Sequence, residues 1–292
     1  MKLYSPKYYQ KFFCIADKCK HSCCIGWEID IDSDAMNKYR ASRCDYAKTV
    51  LESINVSESP HFELVENERC PHLNERGLCE IILNMGEDAI CNICREHPRF
   101  YNFSNLGKEV GIGMSCEEAC RLILNSDDYD QIIAISNLDG EPEIIDFDAL
   151  RYRETVYKIL KDNTLDFLGK IDMIYDYFDI YLDEKAIIEA IESMEYLNLS
   201  HRDIFAKFTV RGIDAKIECK LARALAYFVY RHCSEAESIE DFTVSLSLCL
   251  LLTFLIASIS DENNVYEMAR TVSEEIEYSQ DNIDLLKDLF YI

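Results

Sequence analysis

The chain has 292 residues, 49% of them hydrophobic, and it carries 18 Tyr and 14 Phe. This composition excludes a disordered chain and supports a sizeable buried core in one large or two ordinary domains. The formal net charge of −24 opposes binding to phosphate backbones, so we expect no nucleic-acid partner. A lysine-bearing peptide would be attracted instead, although only weakly at physiological salt.

The cysteines indicate both the compartment and the chemistry. Residues 1–14 contain no long apolar stretch followed by small residues, so no signal peptide is predicted and we expect a cytoplasmic protein. In a reducing compartment, 14 cysteines favour metal ligation or redox chemistry over structural disulfides. Eleven of the 14 lie in residues 1–120. This concentration predicts a cysteine-rich region of short elements and loops.

The chain begins with a first group of cysteines and two short predicted elements. The group has the spacing C-x4-C-x3-C-C and consists of Cys14, Cys19, Cys23 and Cys24. Beyond Trp27, residues 28–32 are a predicted strand. A helix is then expected to begin near Ser33, whose hydroxyl is the expected N-cap. Residues 61–66 alternate between apolar and polar like another strand.

A second group of cysteines lies between residues 70 and 99. It consists of Cys70, Cys79, Cys91 and Cys94, and the segment closes on His97-Pro98-Arg99. These thiols repeat on no single helical face, which favours a metal site over packing. Residues 80–85 are predicted to be a helical turn, and residues 99–103 and 109–114 to be strands. Cys116 then opens a predicted helix with Ser115 as its N-cap.

Nine cysteines are therefore the predicted metal ligands: Cys14, Cys19, Cys23, Cys24, Cys70, Cys79, Cys91, Cys94 and Cys116. Thiolates bind Zn²⁺ or hold iron–sulfur clusters, usually in fours, so nine leave open whether there is one site or two. The adjacent Cys23-Cys24 pair differs from the CxxC knuckles of zinc ribbons and favours an iron–sulfur cluster. His21, His72 and His97 are substitute ligands by position, although a surface or supporting role explains each better. Ordinary reduced core thiols are the remaining interpretation.

The second part of the chain is predicted to be helical. Residues 125–145 are acidic and contain Gly140 and Pro142, so they are the predicted linker between a domain at 1–124 and one at 146–292. Helices are predicted near 146–161, 165–181, 184–196, 202–210, 214–232, 240–259, 264–279 and 282–291. The predicted fold class is mainly α, with a cysteine-rich, metal-pinned N-terminal region of a few short strands followed by an all-helical domain.

One apolar stretch, residues 242–259, is long enough to span a membrane. Serines and threonines recur within it, and its flanks are acidic with no basic cluster that would set an orientation. We therefore expect a buried central helix and no membrane span.

Other catalytic motifs are missing from the sequence. It contains no G-x-x-x-x-G-K-[ST], G-x-S-x-G or HExxH, so nothing supports a phosphate-binding loop, a hydrolase nucleophile elbow or a zinc-protease helix. Tyr8 with Tyr9, Asp30 with Asp32, and residues 174–181 are candidates to shape a pocket for a lysine side chain. Packing explains each of these sets better.

The cysteine motifs together resemble the bacterial flagellin lysine N-methylase family, over about the first 125 residues. The matching segments are Phe13-Cys14, Cys19, residues 23–27, residues 29–32, Cys70-Pro71-x-Leu73, Gly77-Leu78-Cys79-x-Ile81, Cys91-x-x-Cys94, Pro98-Arg99, and Ser115-Cys116-x-Glu118-Ala119 followed by Arg121-Leu122. Residues 227–232 resemble the family more loosely. His97 and Glu117 depart from the pattern, which often has an aromatic residue and a proline there, but neither departure removes a thiol.

The resemblance implies transfer of a methyl group from S-adenosylmethionine to lysine side chains of flagellin. It also implies an iron–sulfur cluster bound by the cysteines, expected as 4Fe–4S, with zinc as the alternative. No catalytic base and no S-adenosylmethionine site is assigned in the sequence. The alternative hypothesis is a non-enzymatic metal-binding module, zinc or iron–sulfur, that docks a protein partner. A third is a redox enzyme in which the cluster reacts.

Overall fold

Helices account for about 53% of the protein in the computed structural model, which describes residues 1–57, 59–140, 145–210 and 213–291. The predicted mainly α fold is confirmed. The chain divides into two compact units, Phe13–Pro98, here called the cysteine-rich unit, and Met1–Phe12 with Arg99–Ile292, here called the helical unit. These boundaries differ from the predicted 1–124, 125–145 and 146–292.

The described residues form the following strands and helices. The strands are β1 (Lys2–Pro6), β2 (Ile54–Asn55), β3 (His61–Phe62), β4 (Arg99–Ser104), β5 (Gly107–Ile112) and β6 (Ile132–Asn137). The helices are α1 (Ser33–Ala41), α2 (Tyr46–Glu52), α3 (Glu80–Met85), α4 (Asn92–Glu96), α5 (Glu117–Leu124), α6 (Ala149–Leu160), α7 (Phe167–Phe178), α8 (Glu184–Ser193), α9 (Leu199–Phe205), α10 (Glu218–His232), α11 (Ile239–Ile259), α12 (Val265–Val272) and α13 (Gln280–Lys287). A π-helical turn, Ser273–Glu277, continues α12.

The helical unit contains a four-stranded sheet in the order β4-β5-β1-β6. β1 is parallel to β5 and antiparallel to β6, and β4 and β5 form a hairpin. Gly107 begins β5 at φ +128°, where a Cβ atom would approach the Lys2 carbonyl oxygen to 3.0 Å. Glycine is therefore required at this turn, because only its missing side chain permits both the backbone angle and the approach.

The sheet corrects the predicted linker. β6 lies inside residues 125–145, and its pairing with β1 brings this segment into the helical unit. The acidic composition gave no sign of this, because β6 pairs with a strand about 130 residues earlier in the chain. Pro142, which also supported the linker, lies outside the described residues.

α11 is the central helix of the helical unit and packs against α10, α12 and α13. Among the described residues it is the one helix long and apolar enough to cross a membrane, with a mean hydropathy of 2.3 over its most apolar 18 residues. Of those residues, 83% are buried inside the protein. Residues 242–259 therefore belong to the buried central helix that the sequence predicted.

The cysteine-rich unit is built from α1 to α4 and the short β2–β3 pair. The predicted strand at 28–32 is reduced to a single bridge between Asp30 and His61, and the strand at 61–66 to two residues. The predicted N-cap of α1 was also wrong by one residue. Asp32, not Ser33, caps the helix, because its Oδ1 accepts a hydrogen bond from the Ala35 N–H at 2.9 Å.

The N-cap of α5 was predicted one residue too early. Cys116 occupies the cap position without a side-chain hydrogen bond to the helix. The Ser115 hydroxyl is buried, and it makes no hydrogen bond within the part of the chain that the structure describes. Glu117 and Glu118 in the first turn instead carry the negative charge that favours this end of a helix dipole.

A buried ion pair ties the sheet to the helices. The Arg153 guanidinium on α6 donates to both carboxylate oxygens of Glu109 on β5, at 2.7 and 2.9 Å, and both side chains are at most 4% exposed. Ser104 donates to the same carboxylate at 2.8 Å, and Arg153 also donates to the Ser234 hydroxyl at 2.8 Å. Removing one partner would therefore leave the other charge buried and unpaired.

We expect Arg153→Met to destabilise the protein by about 3–5 kcal/mol, because Glu109 would lose its counter-charge in a dry site. Urea unfolding followed by circular dichroism measures the change. Lys185→Met, which removes an exposed pair with Glu189, is the control and should cost under about 1 kcal/mol. The double variant Glu109→Leu/Arg153→Met should lose less stability than Arg153→Met. Equal losses for Arg153→Met and the control would contradict this account of the pair.

Candidate functional site

Five of the nine predicted ligands meet in the hydrophobic core of the cysteine-rich unit: Cys24, Cys70, Cys79, Cys91 and Cys94. They come from several parts of the unit, and their companions are apolar side chains such as Ile29, which precedes α1, Met36 of α1 and Ile81 of α3. Cys70 and Cys91 are buried, and the other three are half-buried. The sequence could name these thiols but not select them from the nine.

Local backbone geometry brings the first and second cysteine groups together. The Cys70 N–H donates to the Cys24 carbonyl at 2.8 Å. Gly77 then turns the chain at φ +74°, a conformation that favours glycine, and the Asn74 side chain accepts hydrogen bonds from the Arg76 and Leu78 N–H groups. Through this turn Cys79 pairs with Leu73 in an isolated β-bridge, close in sequence to Cys70.

Asp32 positions the CxxC segment. Besides capping α1 through Oδ1, its Oδ2 accepts a hydrogen bond from the Asn92 N–H at 2.7 Å, at the start of α4. Burial raises the pKa of Asp32, but the N–H groups of Asn92 and Ala35 outweigh it and the pKa lies below its usual range. The Asp32 carboxylate thus links α1 to the start of α4, 60 residues later in the chain, and fixes the segment that contains Cys91 and Cys94.

Tyr39 reaches the same segment from α1. Its side chain is 1% exposed, and its hydroxyl lies 3.4 Å from the Cys91 sulfur, within hydrogen-bond distance. Because burial and the neighbouring thiols raise the pKa of Tyr39, the hydroxyl stays protonated and can donate to a thiolate. Hydrogen bonds of this kind stabilise cysteine sulfur as a metal ligand.

The five thiols influence one another's protonation. Burial raises the pKa of Cys70 to about 12, with a further rise from the charges of Cys24, Cys79 and Cys91. A hydrogen bond from Cys23 lowers the pKa of Cys24 to about 7, and one from Cys94 lowers the pKa of Cys91. Several thiolates in one core repel each other, and a bound cation reverses that repulsion, so this donor set suits a soft metal ion or cluster.

The sulfurs are in one core but do not converge on one point. Among residues 1–57, 59–140, 145–210 and 213–291, no three His, Cys, Asp or Glu side chains are arranged to hold a metal ion. Three further predicted ligands, Cys14, Cys19 and Cys23, lie outside the apolar cluster, and the Cys19 thiol donates to the His21 carbonyl at 3.0 Å. Cys116 lies in the helical unit. The nine-cysteine ligand set thus stays a prediction.

The histidines near the cysteines have supporting positions. His72 is 1% exposed and lies between the Tyr46 hydroxyl at 3.0 Å and the Ser53 hydroxyl at 2.9 Å, so both ring nitrogens are engaged. Burial lowers its pKa to about 4, which keeps the ring neutral. His97 packs against the Trp27 ring with centroids 6.0 Å apart.

The helical unit contains a second polar site, centred on the fully buried side chain of Glu277. One carboxylate oxygen accepts from His232 Nε2 at 2.8 Å and contacts Arg231 Nε at 3.2 Å. The other accepts from the hydroxyls of Tyr227 at 2.9 Å and Ser273 at 2.5 Å. Burial raises the pKa of Glu277, but Arg231, His232 and Ser273 outweigh it and hold the pKa below its usual range.

The π-helical turn Ser273–Glu277 gives this carboxylate its position. Such turns insert one residue into a helix and are frequent at functional sites. The Tyr227 hydroxyl also accepts from the Met114 N–H at 3.2 Å, so the network reaches the end of the sheet. Sequence reasoning noted residues 227–232 but not Glu277. In the sequence, the only sign of Glu277 is an acidic residue on an otherwise apolar helical face.

The predicted lysine-pocket residues have other roles. Tyr9 accepts a hydrogen bond from Arg99 Nε at 3.0 Å, and Asp32 is the helix cap described above. Residues 174–181 follow α7 and its end, with Ile174 buried and Tyr181 80% exposed. Packing therefore explains most of these residues, as the sequence favoured.

Comparison with known proteins adds the functional context. The chain is 25% identical over 130 residues to proteins named lysine-N-methylase from Salmonella typhimurium and Salmonella choleraesuis. The resemblance read from the sequence is confirmed. The match covers 42% of this chain and 32% of each methylase, so the matched region spans about a third of the length of these relatives.

A third relative is a protein named flagellar biosynthetic protein FliU, from Salmonella muenchen. It is also 25% identical over 130 residues, and the match covers 77% of its length. No family model and no solved structure matches the chain. The comparisons thus show a distant similarity to proteins named for lysine methylation and to one named for flagellar biosynthesis.

We expect Glu277→Gln to cost about 3–5 kcal/mol of stability at pH 7, because Arg231 would keep a buried charge without its partner. The pKa of Glu277 is depressed in the folded state, so its contribution is present above the unfolded-state pKa and is lost as pH falls through the folded-state pKa. The difference from wild type should therefore shrink below about pH 4. Urea unfolding at pH 7 and pH 3 measures it.

The matched control is Glu192→Gln, at an exposed position of α8, which should change stability by less than about 0.5 kcal/mol. A loss in Glu277→Gln that is equally large at both pH values would show that packing, and not the charge, is responsible.

Proposed function

We propose that this protein acts in the methylation of protein lysine side chains, with S-adenosylmethionine as methyl donor and flagellin as substrate. The observation that carries the proposal is the similarity over 130 residues to two lysine-N-methylases. The name of the FliU relative supports the flagellar substrate. The net charge of −24 is compatible with a lysine-bearing partner.

A metal centre in the cysteine-rich unit is the second part of the proposal. Four of the five core thiols would hold it, with Cys91 and Cys94 as the pair best fixed in place by Asp32 and Tyr39. An iron–sulfur cluster, of the 4Fe–4S type, is the preferred occupant, and zinc is the alternative. A bound cluster would supply redox chemistry, whereas zinc would act as a structural ion or Lewis acid.

The reaction sets two demands on the protein. A lysine amine attacks a methyl group only after it has lost its proton, so a nearby base or a dry environment must favour the neutral amine. The approach of amine to methyl also needs fixed positioning. Glu277 and its partners are buried titratable groups of the helical unit, but each is already hydrogen-bonded to another. We therefore assign them to structure and leave the base unassigned.

A non-enzymatic metal-binding module is the second candidate function. The observation in its favour is that the five core thiols belong to a compact unit of their own, Phe13–Pro98. In that case the protein would bind metal without methylating lysine.

Incubation of the anaerobically purified, metal-loaded protein with flagellin and methyl-labelled S-adenosylmethionine separates the two. We expect label on flagellin lysines, because the methyl group moves to the ε-amine. Flagellin whose lysines have been acetylated is the matched control and should remain unlabelled, since the acetyl group removes the nucleophilic lone pair. Absence of label on unmodified flagellin with the metal site full would sink the methylase proposal and favour the binding module.

Replacing Cys91 and Cys94 together by serine tests the metal centre. We expect the double variant to lose most of the bound metal, because two of the best-fixed sulfur ligands are removed. Elemental analysis and visible absorption of anaerobic preparations measure it. Cys219→Ser, at an exposed thiol of α10 in the helical unit, should keep the wild-type metal content. A wild-type protein that binds no metal would refute the metal centre. A colourless preparation that contains zinc would show that zinc, and not an iron–sulfur cluster, occupies it.

A further inference from the structure

A cavity of about 370 Å³ opens in the helical unit, between the turn that follows β1 and helix α5. Its lining consists of Tyr8, Lys11, Arg121, Leu122, Asn125 and Ser126. This volume lies in the range of small-molecule sites, about 300–1,000 Å³. Neither the resemblance nor the methylation proposal accounts for it.

The lining is rich in hydrogen-bond donors and contains no acidic residue. Lys11 is exposed. The Ser126 hydroxyl, and with it the charges of Lys11 and Lys7, hold the pKa of Asp128 below its usual range, so the Lys11 ammonium lies near this carboxylate. Tyr8 is only 2% exposed, and its hydroxyl has no hydrogen-bond partner among the residues that the structure describes. Burial raises the pKa of Tyr8, so the hydroxyl keeps its proton.

Arg121 lies at the wall of the cavity, and its side chain is 56% exposed. Its Nε and Nη2 donate to the two carboxylate oxygens of Glu118, at 2.7 and 2.6 Å. This bidentate pair leaves Nη1 as a donor for another group. Arg121, Leu122 and Glu118 all belong to the last motif of the family resemblance, which the metal centre does not explain.

The acidic groups nearby are already engaged. Asp128 accepts from Ser126 at 2.6 Å and forms an ion pair with Lys7 at 3.1 Å. Asp127 pairs with Arg223. Asn125 is also occupied, since its amide donates to the Arg121 carbonyl and accepts from the Tyr266 hydroxyl. The groups left to bind a ligand are therefore Tyr8, Lys11 and Arg121 Nη1, all of them donors.

We propose that this cavity binds a small molecule through an oxyanion, a carboxylate or a phosphate. Such groups are acceptors only, so they match three donors, two of which carry positive charge. The chain has a net charge of −24, but no acidic residue lines this cavity. At physiological salt, screening weakens the repulsion between an anion in the cavity and acidic residues farther away. The remaining volume would hold the rest of the ligand. The proposal does not depend on metal binding or methyl transfer.

Titration calorimetry with inorganic phosphate, and separately with succinate, at ionic strength held constant with chloride, tests this site. We expect at least one of the two anions to bind. The anion that binds more tightly shows whether the ligand's oxyanion is a phosphate or a carboxylate. Lys11→Met should weaken binding about fivefold to tenfold, because one charge-assisted hydrogen bond is lost. Tyr8→Phe should weaken it by a smaller factor. Lys158→Met, at an exposed position of α6 outside the lining, should bind as wild type does.

Lys11→Glu is a second variant at the same position. Because Lys11 is exposed, this substitution should not disturb folding. It should abolish binding, since it places a negative charge at the cavity. Failure of both anions to bind the wild-type protein would overturn the proposal. Binding that is equally strong in Lys11→Met, Lys11→Glu and Lys158→Met would overturn it as well, since the anion would then lie elsewhere.

Discussion

The helical unit is organised around a buried negative charge, the carboxylate of Glu277. A carboxylate removed from water is tolerated only when it is neutralised and hydrogen-bonded. Arg231 neutralises it, and Tyr227, His232 and Ser273 complete its hydrogen bonds. These contacts hold the end of α10 against the π-helical turn. Through Tyr227, which accepts from the Met114 N–H, they also reach the segment between β5 and α5.

The cysteine-rich unit is ordered by different interactions. Its core contains five thiols, which are weak hydrogen-bonding groups and can be buried as small apolar side chains. Its polar contacts come from Asp32, which caps α1 and accepts a hydrogen bond from the first N–H of α4, and from Tyr39, which contacts Cys91. The same residues that order the unit without metal would orient sulfur ligands around one. Structural order and a proposed metal centre therefore rest on the same contacts.

Most helices were predictable because their signals are local. The predicted 184–196 and 240–259 correspond to α8, whose apolar residues recur at helical spacing, and α11, whose long apolar run carries no charged residue from 242 to 259. The linker at 125–145 was wrong because β6 becomes a strand only by pairing with β1. The cap position of α5 is Cys116, which makes no side-chain hydrogen bond to the helix. The cap of α1 shifted by one residue, since Asp32 and Ser33 are equally good candidates by type. Sequence pattern alone cannot choose between them.

The sequence by itself determined the mainly helical fold, the concentration of cysteines before residue 120 and the resemblance to lysine methylases, because these follow from composition, periodicity and motif spacing. Only the tertiary structure decided which thiols share a core and which do not. It alone also revealed Glu277 as a buried centre, 50 residues from Tyr227, and placed Tyr8 and Arg121 at one cavity. Contacts between residues far apart in the chain depend on the packing of whole elements, and no local pattern encodes them.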